Sequence, residues 1–179
     1  MRDRVLPGAV AAVTFAAILT AQAPQTTSQP SSQTASQPAP PAANLNQLMR
    51  GLFFPHSNVV FSTQRVNPAE IKKISEPSTS TDPLTGVFGN WEAVEDSALV
   101  LSDAAELLMT PGRKCSNGKD VPLEKADWIQ FVKQLREAGM VAYKAALTKN
   151  MDNMIQAADV LNTSCANCHN RYRARSRCQ

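Results

Sequence analysis

The stretch MDNMIQAADVLNTSCANCHNRY, residues 151–172, decides how the chain is read. Met154, Ile155, Ala158, Leu161, Cys165, Cys168 and Tyr172 recur at three- and four-residue steps, the spacing at which helical side chains share a face. This predicts an amphipathic helix whose last two turns carry Cys165-Ala166-Asn167-Cys168-His169. C-x-x-C-H is the spacing by which a polypeptide attaches c-type haem. Two thiols three positions apart on a helix can each add across a porphyrin vinyl group and leave a thioether. The imidazole that follows can coordinate iron as the proximal ligand. Two other chemistries use C-x-x-C. A thioredoxin-like pair needs its first cysteine at a helix N-terminus in a βαβ setting, whereas this motif ends a helical pattern. A zinc site needs a second ligand pair, and Cys115, Cys178 and His56 supply no such spacing.

Upstream, the sequence falls into further helical periods with no convincing strand alternation. Leu45, Leu48, Met49, Leu52, Phe53, His56, Val59 and Val60 predict a first helix over residues 44–61, kinked or broken near Phe54 by Pro55. A polar connection over 62–86 contains Pro68, Pro77 and Pro83, with a short helix expected around 69–74. Trp91, Val94, Ala98, Leu101, Ala105 and Leu108 predict a second helix over 88–109, stopped by Thr110-Pro111-Gly112. After Pro122 a third helix is expected to end near Thr148, burying Trp128, Phe131, Val132, Leu135, Ala138, Val141, Ala142 and Ala145. With the helix from 151, these predict an all-α, antiparallel four-helix bundle over residues 44–179 that binds one covalent haem.

If the helices run up, down, up, down, the end of the fourth lies beside the start of the first, which brings His169 toward Leu48 and Met49. Met49 is then the candidate sixth ligand, since a thioether from the facing helix can reach iron. Core packing is the plainer use of a methionine. His56 is the rival ligand, two turns further along the same helix, and a five-coordinate iron covered by Leu48 or Leu52 is the third arrangement.

Cys165-Ala-Asn-Cys168-His169-Asn-Arg-Tyr172-Arg173, with Met49-Arg50 near the start of the first helix, resembles the cytochrome c-prime and cytochrome b-type four-helix-bundle family of c-type cytochromes. The resemblance covers residues 44–175. It implies that His169 is the proximal ligand and Met49 the distal one. It also implies that Tyr172 closes the terminal helix and that Arg50 or Arg173 lies near a haem propionate. The chain departs from the family pattern in the polar segment after the first helix, in Pro55 and in two extra cysteines. Because the second interhelical loop and the end of the fourth helix share one end of the expected bundle, Cys115 and Cys178 are candidates for a disulfide.

The N-terminus sets the compartment. Arg2 and Arg4, an apolar run over 10–19 and Ala21-Gln22-Ala23 read as a signal peptide over residues 1–23, with an apolar run too short to favour a membrane span. Residues 24–43 are Gln, Thr, Ser, Pro and Ala with no charge and no large apolar residue, predicting a disordered tether. The expected location is periplasmic or otherwise exported. A formal net charge of +3 does not suggest nucleic-acid binding. Arg171, Arg173, Arg175 and Arg177 cluster at the end, either as a solvated helix terminus or as a basic rim steering an acidic redox partner.

Together these features point to a monohaem one-electron carrier with His/Met-ligated iron, not an enzyme, whose partners are redox proteins with an acidic face. The alternative is a five-coordinate, c-prime-like protein that binds nitric oxide or carbon monoxide. A peroxidase is a weaker third reading, for want of a placed distal histidine and arginine. Whether the bundle pairs with a second copy is left open.

Overall fold

The computed structural model describes residues 39–70, 89–173 and 178. The predicted signal peptide, most of the predicted tether, most of the connection over 62–86 and the arginines at 175 and 177 lie outside the described residues. The fold is all-α, and among the described residues the β contribution is one isolated bridge, Lys114 with Asp120. The elements are α1 (Leu45–Leu48), a π-helical turn (Met49–Phe53), α2 (Phe54–Ser62), a 3-10 turn (Pro68–Glu70), α3 (Asn90–Ala104) tightening into a 3-10 segment (Ala105–Met109), α4 (Ala126–Leu147) and α5 (Met151–Tyr172). No helix among the described residues is long and apolar enough to cross a membrane.

α1 begins where Asn44 and Gln47 satisfy each other's backbone N–H groups, at 2.9 Å in both directions. Of the kink or break expected near Phe54, the break does not occur. Pro55 has no N–H to offer the Gly51 carbonyl four residues back, and its ring would collide with that carbonyl in a regular helix. The chain instead widens by a π turn just before the proline, and the Phe54 N–H donates to Met49 O, five residues back. α1, the π turn and α2 therefore follow one another without interruption.

α3 starts at Asn90, which takes the left-handed conformation (φ 67°) and accepts the Trp91 N–H on its side chain at 2.7 Å. Thr110 turns extended ahead of Pro111 and ends the segment. α3 packs on α4, α4 on α5 and α2 on α3. Trp128, near the start of α4, donates from Nε1 to Leu108 O at 3.3 Å, while Ser102 donates to Arg136 O at 3.0 Å. α3 and α4 thus run in opposite directions. Asp127 with Tyr172 at one end and Thr148 with Asn153 at the other set α4 and α5 antiparallel as well.

The core holds Leu45, Phe53, Val60, Trp91, Val94, Leu101, Leu108, Trp128, Val132, Leu135, Met154 and Leu161 among others. Several residues of the expected stripes sit further out: Met49, Leu52, His56, Phe131, Cys165, Cys168 and Tyr172 are half-buried, and Val141 and Ile155 are exposed. Small residues at Ala138, Gly139, Ala142, Ala145 and Ala146 bring α4 close to its neighbours, so larger side chains at the flanks of that face are not drawn in. The approach is closest at Gly139, where a Cβ would stand 2.7 Å from Ser102 N and 3.0 Å from Ala98 O. Both are backbone atoms and cannot step aside. Gly139→Ala should therefore cost about 1–2 kcal/mol by overpacking, despite alanine's better helix propensity; a urea midpoint equal to or above the parent's would contradict this close approach.

The loop between α3 and α4 is tied to the chain's entry into α1. Arg113, 5% exposed, donates to Leu107 O at 3.1 Å and to Ala43 O at 2.6 Å. Leu45 N–H donates to Lys114 O at 2.8 Å. Cys115 in this loop is bonded to Cys178, with Cα atoms 5.0 Å apart.

Candidate cofactor site

A cavity of about 410 Å³ opens between the first helical stretch, the end of α3, the start of α4 and the end of α5. All seven residues singled out in the sequence line it: Met49 and Arg50 from the π turn, and Cys165, Cys168, His169, Tyr172 and Arg173 from the end of α5. The rest of the wall is largely apolar and aromatic, including Phe53, Phe61, Leu101, Trp128, Phe131 and Leu135. His56 is not part of it. Its Nδ1 stands 3.3 Å from Ser97 Oγ, on the side of α2 that faces α3.

The π turn explains how one helical stretch contributes so long a wall. Leu45, Met49, Phe53, Ser57 and Phe61 line the cavity at unbroken four-residue steps. In a regular helix each such step drifts about 40° around the axis, so five residues would leave the face. The π turn, with more residues per turn, reverses part of that drift. Pro55, read in the sequence as a kink or a break, is thus the cause of a continuous wall.

At the other end, α5 is held by a residue that sequence reasoning passed over. Asp127, in the first turn of α4, accepts from Tyr172 Oη at 2.6 Å and from Arg171 Nε at 3.0 Å. The Tyr172 ring meets Trp128 edge-on with centroids 5.0 Å apart. Arg171 is therefore engaged with Asp127 rather than standing as a cation of the rim, while Arg173 and Arg50 are exposed cavity-lining cations. An acid in the first turn of helix three, facing basic residues in the last turn of an antiparallel neighbour, was the available signal for this clamp.

The hydrogen bonds from Tyr172 and then Arg171 hold the Asp127 carboxyl below the usual carboxylate range. Conversely, burial first and the Asp127 bond second push the Tyr172 phenol up to about 12. A depressed carboxyl pKa stabilises the fold above the unfolded-state value, and that contribution is lost as pH falls through the folded-state value. Asp127→Ala should lower the Tyr172 titration, followed by phenolate absorbance; an unchanged titration would argue against the clamp.

Cys165 and Cys168 are half-buried free thiols. Burial raises both, and Cys168 reaches about 11 through burial followed by the adjacent charges of Cys165 and Asp127. Protonated thiols are poor nucleophiles, which disfavours their oxidation to a pair. His169 is exposed at the cavity mouth, and partial desolvation, followed by the Arg173 charge, holds its imidazole below the ordinary histidine value, which favours the form with a free nitrogen lone pair.

This donor set suits haem c: two unpaired thiols and a neutral imidazole on one helix, a thioether on another, and an apolar wall between them with cations at its edge. Cys115 and Cys178 are consumed in their disulfide, and among the described residues no group of three His, Cys, Asp or Glu side chains could hold a metal ion.

No protein-family model, no curated protein and no solved structure matches the chain. The functional reading accordingly rests on the site itself.

Proposed function

We propose that the chain is an exported monohaem c-type cytochrome of the four-helix-bundle type, a one-electron carrier whose iron is held by His169 and Met49. The observation that carries this reading is the convergence of Cys165, Cys168, His169 and Met49 on one largely apolar cavity. Haem attached there would supply one-electron exchange between ferrous and ferric iron. Cys165 and Cys168 would hold it covalently, and the neutral imidazole of His169 would donate to the iron from the same helix. Met49 would offer its sulfur from the π turn. Phe53, Phe61, Trp128, Phe131 and Leu135 would keep water from the ring, and Arg50 or Arg173 would neutralise carboxylates at the edge. Their positive charge favours redox partners with an acidic face. On this reading the segment before the domain directs export to the periplasm or an equivalent compartment, where thioether attachment and the Cys115–Cys178 disulfide are both chemically permitted.

Optical spectroscopy tests the axial pair. The haem-loaded chain is expected to show a low-spin, six-coordinate spectrum with a methionine–iron charge-transfer band that Met49→Ala removes. A high-spin ferric spectrum in the parent, shifting on addition of nitric oxide, would assign the chain to the gas-binding alternative instead.

A further inference from the structure

Two buried side-chain atoms among the described residues have no hydrogen-bond partner: Ser164 Oγ and Gln134 Oε1. Ser164 is 5% exposed, lines the cavity and immediately precedes Cys165. A buried hydroxyl or amide oxygen left unpaired is costly, and alanine would serve better at an interior helix position that needed only packing. Counted from the Asp127–Tyr172 bond, the two residues fall at similar heights along their antiparallel helices. Gln134 is seven residues beyond Asp127 on α4, and Ser164 is eight residues before Tyr172 on α5; Asp127 and Tyr172 are bonded and the helices are antiparallel.

We propose that Gln134 and Ser164 form a binding site for one internal water, which bridges α4 to α5 at the level of Cys165 and Cys168. The ligand must be small, neutral and able to both donate and accept. The Ser164 hydroxyl can do either, whichever way the Gln134 amide is turned, and neither side chain carries charge. Internal waters occupy polar recesses of this kind, held by two to four protein groups. Neither side chain is among those proposed to hold haem. The site therefore does not depend on the proposed cofactor. Its consequence is positional: a bridge one residue before Cys165 and one turn before Cys168 resists rotation of α5 about its own axis, and with it the presentation of both thiols and of His169.

Threonine and valine at position 164 have the same shape and differ by the hydroxyl, so any cost of the added bulk cancels between them. In the full-length purified chain, Ser164→Thr is expected to keep a higher urea midpoint than Ser164→Val. In chain prepared without haem, Cys165 and Cys168 should react with iodoacetamide several-fold faster in the valine variant than in the threonine one. Gln134→Leu and Ser164→Ala should each lower the midpoint, while the double variant falls no further than the worse single one, because either change alone empties the bridge. Strictly additive midpoints, equal behaviour of the threonine and valine variants, or a crystal structure with Ser164 Oγ bonded to a helix carbonyl and no water beside it would each overturn the proposal. Failure of haem attachment in the parent chain would sink the proposed function while leaving these comparisons unaffected.

Discussion

Replacing both Cys165 and Cys168 by alanine is expected to abolish covalent haem. Extraction with acidified acetone should remove all colour from the double variant and none from the parent, and a pyridine haemochrome of the parent should have the position of a thioether-substituted ring. The effect is all-or-none because the two thiols are the free cysteines of the described chain, the others being joined to each other. Single variants should retain haem through one thioether and shift the haemochrome toward that of a ring with one intact vinyl group. His169→Ala separates attachment from coordination, leaving both thioethers possible while removing the proximal nitrogen donor. Folding should survive these changes. α5 is anchored by Met154, Ala157, Ala158 and Leu161, all at most 2% exposed, and alanine favours the helix. Haem that stays bound in the double variant, or a parent that binds none when produced with a haem-attachment system, would reject the proposed function.

The helices and the grouping of the site residues were legible in the sequence for a simple reason. Period and spacing are local properties, and at the end of α5 the buried stripe and the C-x-x-C-H motif coincide. The start of α5 at Met151 and the six-residue stripe of α3 and the 3-10 segment that follows it are as the pattern predicts, with all six of those residues buried. The π turn was not legible, because Pro55 announces a missing hydrogen bond without saying whether the chain will bend, break or widen. Its outcome depends on what a widened turn gains, here a wall of residues at four-residue steps along one cavity. The Asp127 clamp was hidden for a different reason. An acid at the first turn of a helix is already explained by the helix dipole, so nothing local signals a second role. Exposure of Val141 and Ile155 has the same origin: a stripe marks one face, but its width is decided by how near the neighbouring helix comes.

Replacing Cys115 and Cys178 by serine is expected to cost about 4 kcal/mol, the chain-entropy value for a disulfide across a sequence separation of 63. For a domain of this size that corresponds to a fall in melting temperature of roughly 14 °C. Both sulfurs are buried, at 2% and 6% residue exposure, so the parent should show this loss in reductant only after partial unfolding and on a slow timescale. The local consequence is more specific than the global one. Cys178 lines the cavity, and its N–H donates to Tyr172 O at 3.2 Å, so the bridge fastens the chain just beyond α5 against the loop that also receives the start of α1. Without it, the end of α5 keeps the Asp127 contacts with Tyr172 and Arg171 and the edge-on packing of the Tyr172 ring on Trp128 and Phe131. Amide exchange should therefore accelerate most over the last turn of α5, around His169 to Arg173, and much less over Met154 to Leu161. The Asp127→Ala change should deepen that local effect beyond the sum of the two, since each fastening limits the motion that would break the other. Uniform acceleration along the whole helix would mean that the disulfide stabilises only by restricting the unfolded chain. A gradient toward His169 would mean that it also holds in place the residues proposed to bind haem.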